Sequence, residues 1–143
     1  MGFLDHQKQW DFIVNATPDA CLAAFAGAMA GKSGLNLRKA KWDVSRAGSR
    51  AVAEYRGRGG LGAGVAVLSR RVAEVEEVAI GSKLEFKVSN HDRGTGTTEC
   101  SLWLAQRGTQ FGLTADAGFF RSYMNEVERA LRAMDQGLRV SKG

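Results

Sequence analysis

The chain has 143 residues, of which 44% are hydrophobic and 24% charged, and its formal net charge is +5. These values are those of an ordinary soluble globular protein and predict a single domain, residues 1–143, with a sizeable core. No apolar run approaches the ~18 residues that a membrane-spanning helix needs. Residues 1–8 lack the basic and apolar segments of a secretory signal, so we expect a cytoplasmic protein with flexible tails at residues 1–8 and 138–143.

The first predicted strand covers residues 10–14. Trp10, Phe12 and Val14 alternate there with polar Asp11, although Ile13 interrupts the pattern. Alternation with a period of two places the apolar residues on one face of a strand. We therefore expect that face to be turned toward a core.

A short helix is predicted directly after this strand. Thr17 has the side chain of an N-cap, Pro18 suits the first helical position, and Asp19 suits the positive end of the helix dipole. Glycines at positions 31 and 34 end the pattern. The apolar residues of this helix, at helical spacing, are Cys21, Leu22, Phe25 and Met29.

Between residues 37 and 114 the apolar period changes to two, which predicts strands. Polar turns separate the alternating segments, so consecutive strands are expected to form hairpins. The clearest strands lie at residues 40–44, 51–55, 84–88 and 98–104, and a last one contains Phe111 and Leu113.

Residues 65–79 fit either a helix or strands. Short apolar patterns do not separate the two structures. We favour strands, because a sheet that faces one long helix needs the extra coverage.

One long amphipathic helix is predicted over residues 116–137. Asp116 is the expected N-cap and Gly137 the expected C-terminal stop. Apolar residues recur at spacings of three and four, which places them on one face, and polar residues occupy the other. The apolar positions are Phe120, Tyr123, Met124, Val127, Leu131 and Met134.

Gly57, Gly59 and Gly62 match the glycine spacing of a dinucleotide-binding loop. The strand before such a loop is buried on both faces and almost entirely apolar, whereas residues 50–56 carry three charges. No series of βαβ units follows. We interpret the segment as a glycine-rich loop between strands and expect no cofactor.

Side chains that commonly serve in catalysis are few. His6 lies in a predicted tail and His91 in a predicted turn, while Cys21 and Cys100 are predicted to be buried, reduced thiols. Neither cysteine has a cluster of histidines nearby, so no zinc site is expected. These residues do not provide a nucleophile, a base and an orienting group, and the sequence favours a protein that is not an enzyme.

Much of the positive charge lies in residues 38–58, which hold seven lysines and arginines but only Asp43 and Glu54 as acids. Such a stretch can attract nucleic acid or an anionic membrane surface. We favour a solvated sheet face, because charged residues are mostly exposed and no recognition helix or zinc finger is present.

Aromatic residues suggest a ligand pocket between the sheet and the final helix, with a filled core as the alternative. Tyr55 and Tyr123 would supply polar groups, and small residues such as Ala51 and Ala53 would leave room. The candidate ligand-binding residues are Trp42, Tyr55, Phe86 and Phe111 on the strands, and Phe120, Tyr123, Met124 and Val127 on the helix.

The order of these elements resembles the helix-grip fold of the START-type superfamily, which includes lipid-transfer domains, plant pollen allergens and polyketide cyclase/dehydrase-like proteins. Residues 10–25 are similar to the usual opening of that family, a strand followed by Ala16, Thr17 and Pro18 leading into a helix. The resemblance implies an α+β fold: a curved antiparallel sheet of about six or seven strands, wrapped on a long C-terminal helix with a hydrophobic pocket between them. It implies no catalytic residues.

Three functional hypotheses follow. The first is binding of a small apolar or amphipathic molecule in the pocket. The second is a cyclase- or hydrolase-like enzyme of the same fold, and the third is a module that binds anionic partners through residues 38–58. The sequence leaves a homodimer open and does not identify the ligand.

Overall fold

A computed structural model describes residues 9–30, 40–58, 79–110, 113–114 and 117–143 of the chain. Their strands are β1 (Trp10–Val14), β2 (Ala40–Ala47), β3 (Arg50–Arg58), β4 (Lys83–Asp92), β5 (Thr97–Gln106), β6 (Thr109–Gln110), β7 (Leu113–Thr114) and β8 (Arg139–Lys142). Helix α1 covers Pro18–Met29, and a 3-10 turn at Ala117–Phe120 leads into helix α2, Arg121–Met134. The predicted α+β class is confirmed.

Six of the strands form a curved, open antiparallel sheet in the order β2-β3-β4-β5-β1-β8. Strand β1 therefore lies between β5 and the C-terminal strand β8, although it comes first in the chain. The short strands β6 and β7 pair only with each other in the described structure. One face of the large sheet carries the core, which it shares with both helices.

Alternation along the strands explains which face is buried. Trp10, Phe12 and Val14 of β1 point into the core, as predicted, and Ile13 on the other face is 39% exposed. Strand β5 repeats the pattern with alternating buried residues that begin at Thr98. A period of two thus determines the orientation of each strand.

Helix α1 begins as predicted. The Thr17 hydroxyl accepts a hydrogen bond from the Ala20 amide at 3.2 Å, and Pro18 occupies the first turn. The helix packs against the strands β2 to β5 and against α2. Its buried face consists of Cys21, Leu22, Phe25, Ala28 and Met29.

The final helix is shorter than predicted. Helix α2 has 14 residues and begins at Arg121, with Phe120 rather than Asp116 at the N-cap position and without a side-chain capping bond. It ends at Met134 because Asp135 is extended and its carboxylate accepts hydrogen bonds from the Asn15 amide at 2.9 Å and the Gly137 amide at 3.0 Å. Asp116 lies outside the described residues.

The prediction of a flexible tail at residues 138–143 is wrong. Leu138 is buried, and strand β8 pairs with β1 at the edge of the sheet. The Lys142 ammonium lies 4.4 Å from the centre of the Trp10 ring and 2.9 Å from Glu128 Oε1 of α2. These contacts, which join residues far apart in the chain, hold a mostly polar segment in place.

Other predictions concern residues outside the description. The residues concerned are those of the predicted tail at 1–8, most of residues 65–79, and Phe111. Of the expected last strand, Leu113 lies in the two-residue strand β7, which pairs with β6. Neither helix in the described ranges is long and apolar enough to cross a membrane.

Replacing Thr17 by alanine removes the capping acceptor of α1. We expect the free energy of unfolding to fall by about 1 kcal/mol, because the Ala20 amide then loses its side-chain partner. Urea unfolding measures the effect, and Thr17→Ser, which keeps the hydroxyl, is the control. Equal stability of the alanine and serine variants would contradict the capping role.

Replacing Glu128 by glutamine should destabilise the protein in a pH-dependent way. Burial disfavours the charged carboxylate, but hydrogen bonds from Lys142 and Arg132 outweigh it and lower the pKa of Glu128. A carboxyl with a lowered pKa stabilises the fold above the pKa it has in the unfolded chain, and this contribution disappears as the pH falls through the folded-state pKa.

We therefore expect Glu128→Gln to cost about 0.5–1 kcal/mol near neutral pH and much less below about pH 4. Urea titrations at both pH values measure the difference, with Glu99→Gln on the exposed surface as the control. The same loss of stability at acidic and neutral pH would show that the carboxylate charge is not responsible.

Candidate functional site

Four aromatic side chains meet where the start of α2 crosses strands β2 and β3. The ring centre of Trp42 lies 5.0 Å from that of Tyr55, 6.1 Å from that of Phe120 and 5.1 Å from that of Tyr123. The two tyrosine rings are 6.3 Å apart. The rings are tilted or edge-to-face, the arrangements that aromatic pairs prefer. We call these four residues the aromatic cluster.

Strand register and helix position together build the aromatic cluster. Trp42 and Tyr55 are direct neighbours across the β2–β3 pair, next to a register shift between Ala40 and Trp42. Phe120 ends the 3-10 turn and Tyr123 lies in the first turn of α2. The sheet therefore supplies one half of the aromatic cluster and the helix the other.

The aromatic cluster extends from the core toward the surface. Tyr55 and Phe120 are fully buried, Trp42 is 9% exposed, and Tyr123 is only partly buried. The indole Nε1 of Trp42 is buried and has no hydrogen-bond partner among the described residues. Among the described residues this N–H therefore lacks the acceptor that a buried donor needs, and a buried donor left without one costs about 1–3 kcal/mol.

The other four predicted binding residues are not part of the aromatic cluster. Phe86 stacks on Phe25 of α1, with ring centres 5.2 Å apart and planes inclined by 10°. Met124 and Val127 are buried on the inward face of α2, and Phe111 is outside the described residues. Phe25, predicted only to lie on the apolar face of α1, is the aromatic partner of Phe86.

Acidic neighbours offset part of the charge in residues 38–58. Arg46 pairs with Asp19 at the start of α1, and Arg50 Nε lies 2.7 Å from Glu85 Oε2. Arg56 lies 3.3 Å from Asp43 and 3.4 Å from Glu54. The side chains of the other four basic residues of this stretch are outside the description.

His91 belongs to a hydrogen-bonded link between strands and the β1–α1 connection. Its Nδ1 lies 2.8 Å from the Thr98 hydroxyl, which donates to the Ala16 carbonyl oxygen at 2.6 Å. Since the hydroxyl proton is used toward Ala16, Nδ1 must carry a proton and donate to Thr98. In the described ranges, no group of three or more His, Cys, Asp and Glu side chains is placed to hold a metal ion.

Comparisons with known proteins leave the family open. A scan of the sequence against protein-family models gives no match, and no curated protein is found to be similar to the chain.

Two substitutions in the aromatic cluster should differ sharply in their effect on stability. Trp42→Phe loses packing but also removes a buried donor that has no acceptor in the described part of the chain, so we expect the free energy of unfolding to stay within about 1.5 kcal/mol of the wild type. Phe120→Ala only empties a fully buried site and should cost about 3–5 kcal/mol.

Urea unfolding followed by circular dichroism compares the two variants without relying on tryptophan emission. If Trp42→Phe is as destabilising as Phe120→Ala, the indole N–H is not an unfavourable feature of the folded protein.

Proposed function

We propose that the protein binds a small, largely apolar molecule that carries a hydrogen-bond acceptor, and that the aromatic cluster is the binding site. The observation that carries this proposal is the buried Trp42 Nε1, which has no acceptor among the described residues. A ligand oxygen at this position would satisfy the donor, while the surrounding rings would contact the apolar body of the ligand.

Exposure and side-chain size support the same site. Tyr123 is partly exposed at the edge of the aromatic cluster, so a ligand would enter beside it. On the buried face of β3, Ala51 and Ala53 precede Tyr55, and such small side chains leave the sheet surface shallow. Few polar groups within an apolar surface are typical of sites for small molecules.

The position of α2 supports a helix-grip arrangement as part of this proposal. Its first turn contacts Trp42 on the edge strand β2. Farther along, Glu128 contacts Lys142 of β8, and Asp135, just after the helix, accepts a hydrogen bond from the backbone of Asn15 after β1. The helix thus has contacts at both edges of the sheet. This is the arrangement expected for a START-type binding domain, with the aromatic cluster at one end of the helix.

Observed contacts favour binding over the two alternatives. Arg46, Arg50 and Arg56 are each paired with carboxylates, which weakens the case for an anionic partner. His91 is engaged by Thr98 away from the aromatic cluster, which weakens the case for an acid–base enzyme.

A matched ligand pair tests the proposal. 2-Acetylnaphthalene carries a carbonyl acceptor and 2-ethylnaphthalene does not, although their sizes are similar. We expect both compounds to raise the melting temperature and the ketone to bind about tenfold more tightly, because one hydrogen bond to Trp42 is worth about that factor.

Two variants locate the site. Trp42→Phe should remove the preference for the ketone, whereas Trp103→Phe should leave it unchanged, since Trp103 lies on the opposite face of the sheet from Leu102 and Leu104. If neither compound changes the melting temperature, and a fluorescent naphthalene probe responds equally to the wild type and to Tyr123→Ala, the proposal is wrong.

A further inference from the structure

Strand β2 forms one edge of the large sheet. It has eight residues and pairs with β3, and in the part of the chain that the structure describes no other strand pairs with it. The opposite edge is the four-residue strand β8, which carries Arg139 and Lys142. Short length and positive charge protect a sheet edge from pairing with another chain. Strand β2 is twice as long and contains no proline, so it is the edge more open to such pairing.

Hydrogen bonds at Tyr55 show which backbone groups of β2 face this edge. The Tyr55 amide donates to the Ser82 carbonyl oxygen at 2.8 Å, and the Tyr55 carbonyl oxygen accepts from the Gly81 amide at 2.9 Å. Tyr55 therefore turns its backbone groups away from Trp42, its direct neighbour on β2. Opposed residues of an antiparallel pair exchange both hydrogen bonds or neither, so the amide and carbonyl groups of Trp42 point away from β3.

Every second residue along the strand has the same direction. The register between β2 and β3 continues without a shift from Trp42 to Ala47, and hydrogen-bonded and non-bonded pairs alternate along such a register. Val44 and Arg46 therefore also point their amide and carbonyl groups toward the open edge. This edge thus presents three donor–acceptor sets to a further strand.

We propose that β2 is a dimerisation strand, on which β2 of a second copy of this chain pairs antiparallel about a two-fold axis at Val44. This register opposes Val44 to its own copy and Trp42 to Arg46 of the second copy. On the other face of the sheet, Asp43 lies opposite Ser45 of the second copy. The residues with outward backbone groups then face one another, and the interface closes at two subunits because both contribute the same strand.

Charge and burial favour this register over its neighbours. An axis at Asp43 or at Arg46 would place two like charges directly opposite each other, which is destabilising. An axis at Ser45 would set the apolar Val44 against Arg46. The axis at Val44 opposes no like charges, and it covers the part of the Val44 side chain that the core leaves exposed.

Sedimentation velocity of the full chain tests whether the dimer forms. One pair of strands buries less surface than most stable dimers do, so we expect a weak dimer that appears as the concentration rises from about 5 µM to about 1 mM. Val44→Pro removes an outward N–H at the axis without removing a hydrogen bond to β3, and edge strands tolerate proline. It should weaken the dimer by about thirtyfold, because two hydrogen bonds are lost per dimer.

Charge substitutions at Ser45, which is exposed, test the register itself. Ser45→Lys places a lysine opposite Asp43 of the second copy, twice per dimer, and should tighten the dimer. Ser45→Asp opposes two carboxylates and should loosen it, each change being roughly 2- to 30-fold. Ser141→Lys and Ser141→Asp make the same charge changes on the opposite edge, where Ser141 is exposed, and should have little effect.

A sedimentation coefficient of the monomer over the whole concentration range would overturn the proposal. So would a dimer that is as tight in Val44→Pro as in the wild type. The same holds if the Ser45 variants change the affinity no differently from the Ser141 variants, because the interface would then lie elsewhere. Ser45 and Ser141 are exposed, so their results stand even if Val44→Pro fails to fold.

Discussion

The packing of α1 on the middle of the sheet is the contact on which the rest of the structure depends. Phe25 stacks on Phe86 of β4, and the same helix touches the strands β2 to β5 and α2. A sheet with one apolar face needs a cover, because burial of that face supplies the main favourable term in folding. One twelve-residue helix cannot cover six strands, so α2 completes the layer.

Helix α2 is held by aromatic contacts at its start and by polar contacts farther along. Aromatic rings of the aromatic cluster pack at its start, and polar contacts from Glu128 and Asp135 hold its other end. Glu128 and Asp135 have hydrogen-bond or ion-pair partners, whereas the aromatic end contains the buried Trp42 donor without an acceptor among the described residues. This contrast is why the aromatic end, rather than the polar end, is the candidate binding site.

The proposed ligand site lies at one edge of the sheet, in the aromatic cluster. It depends on a polar atom buried among apolar side chains, where interactions are strong and unsatisfied groups are costly.

The sequence by itself determined the α+β class, the inward faces of the strands and the capped start of α1 at Thr17. These features depend on the types and spacing of residues close in sequence. It also placed Trp42, Tyr55, Phe120 and Tyr123 on buried faces. Only the tertiary structure decided that these four meet while Phe86 pairs with Phe25, since strand register and helix placement bring distant residues together.

The ends of the C-terminal elements show the same division. The apolar pattern predicts a helix to Gly137, but the last helical residue is Met134. Asp135, which follows it, is extended and accepts a hydrogen bond from Asn15, near the other end of the chain. Residues 139–142 have little apolar pattern, yet they form a strand that pairs with β1, and Lys142 contacts both Glu128 and Trp10. Local pattern determines which face of an element is buried, whereas partners far away in sequence decide where the element ends.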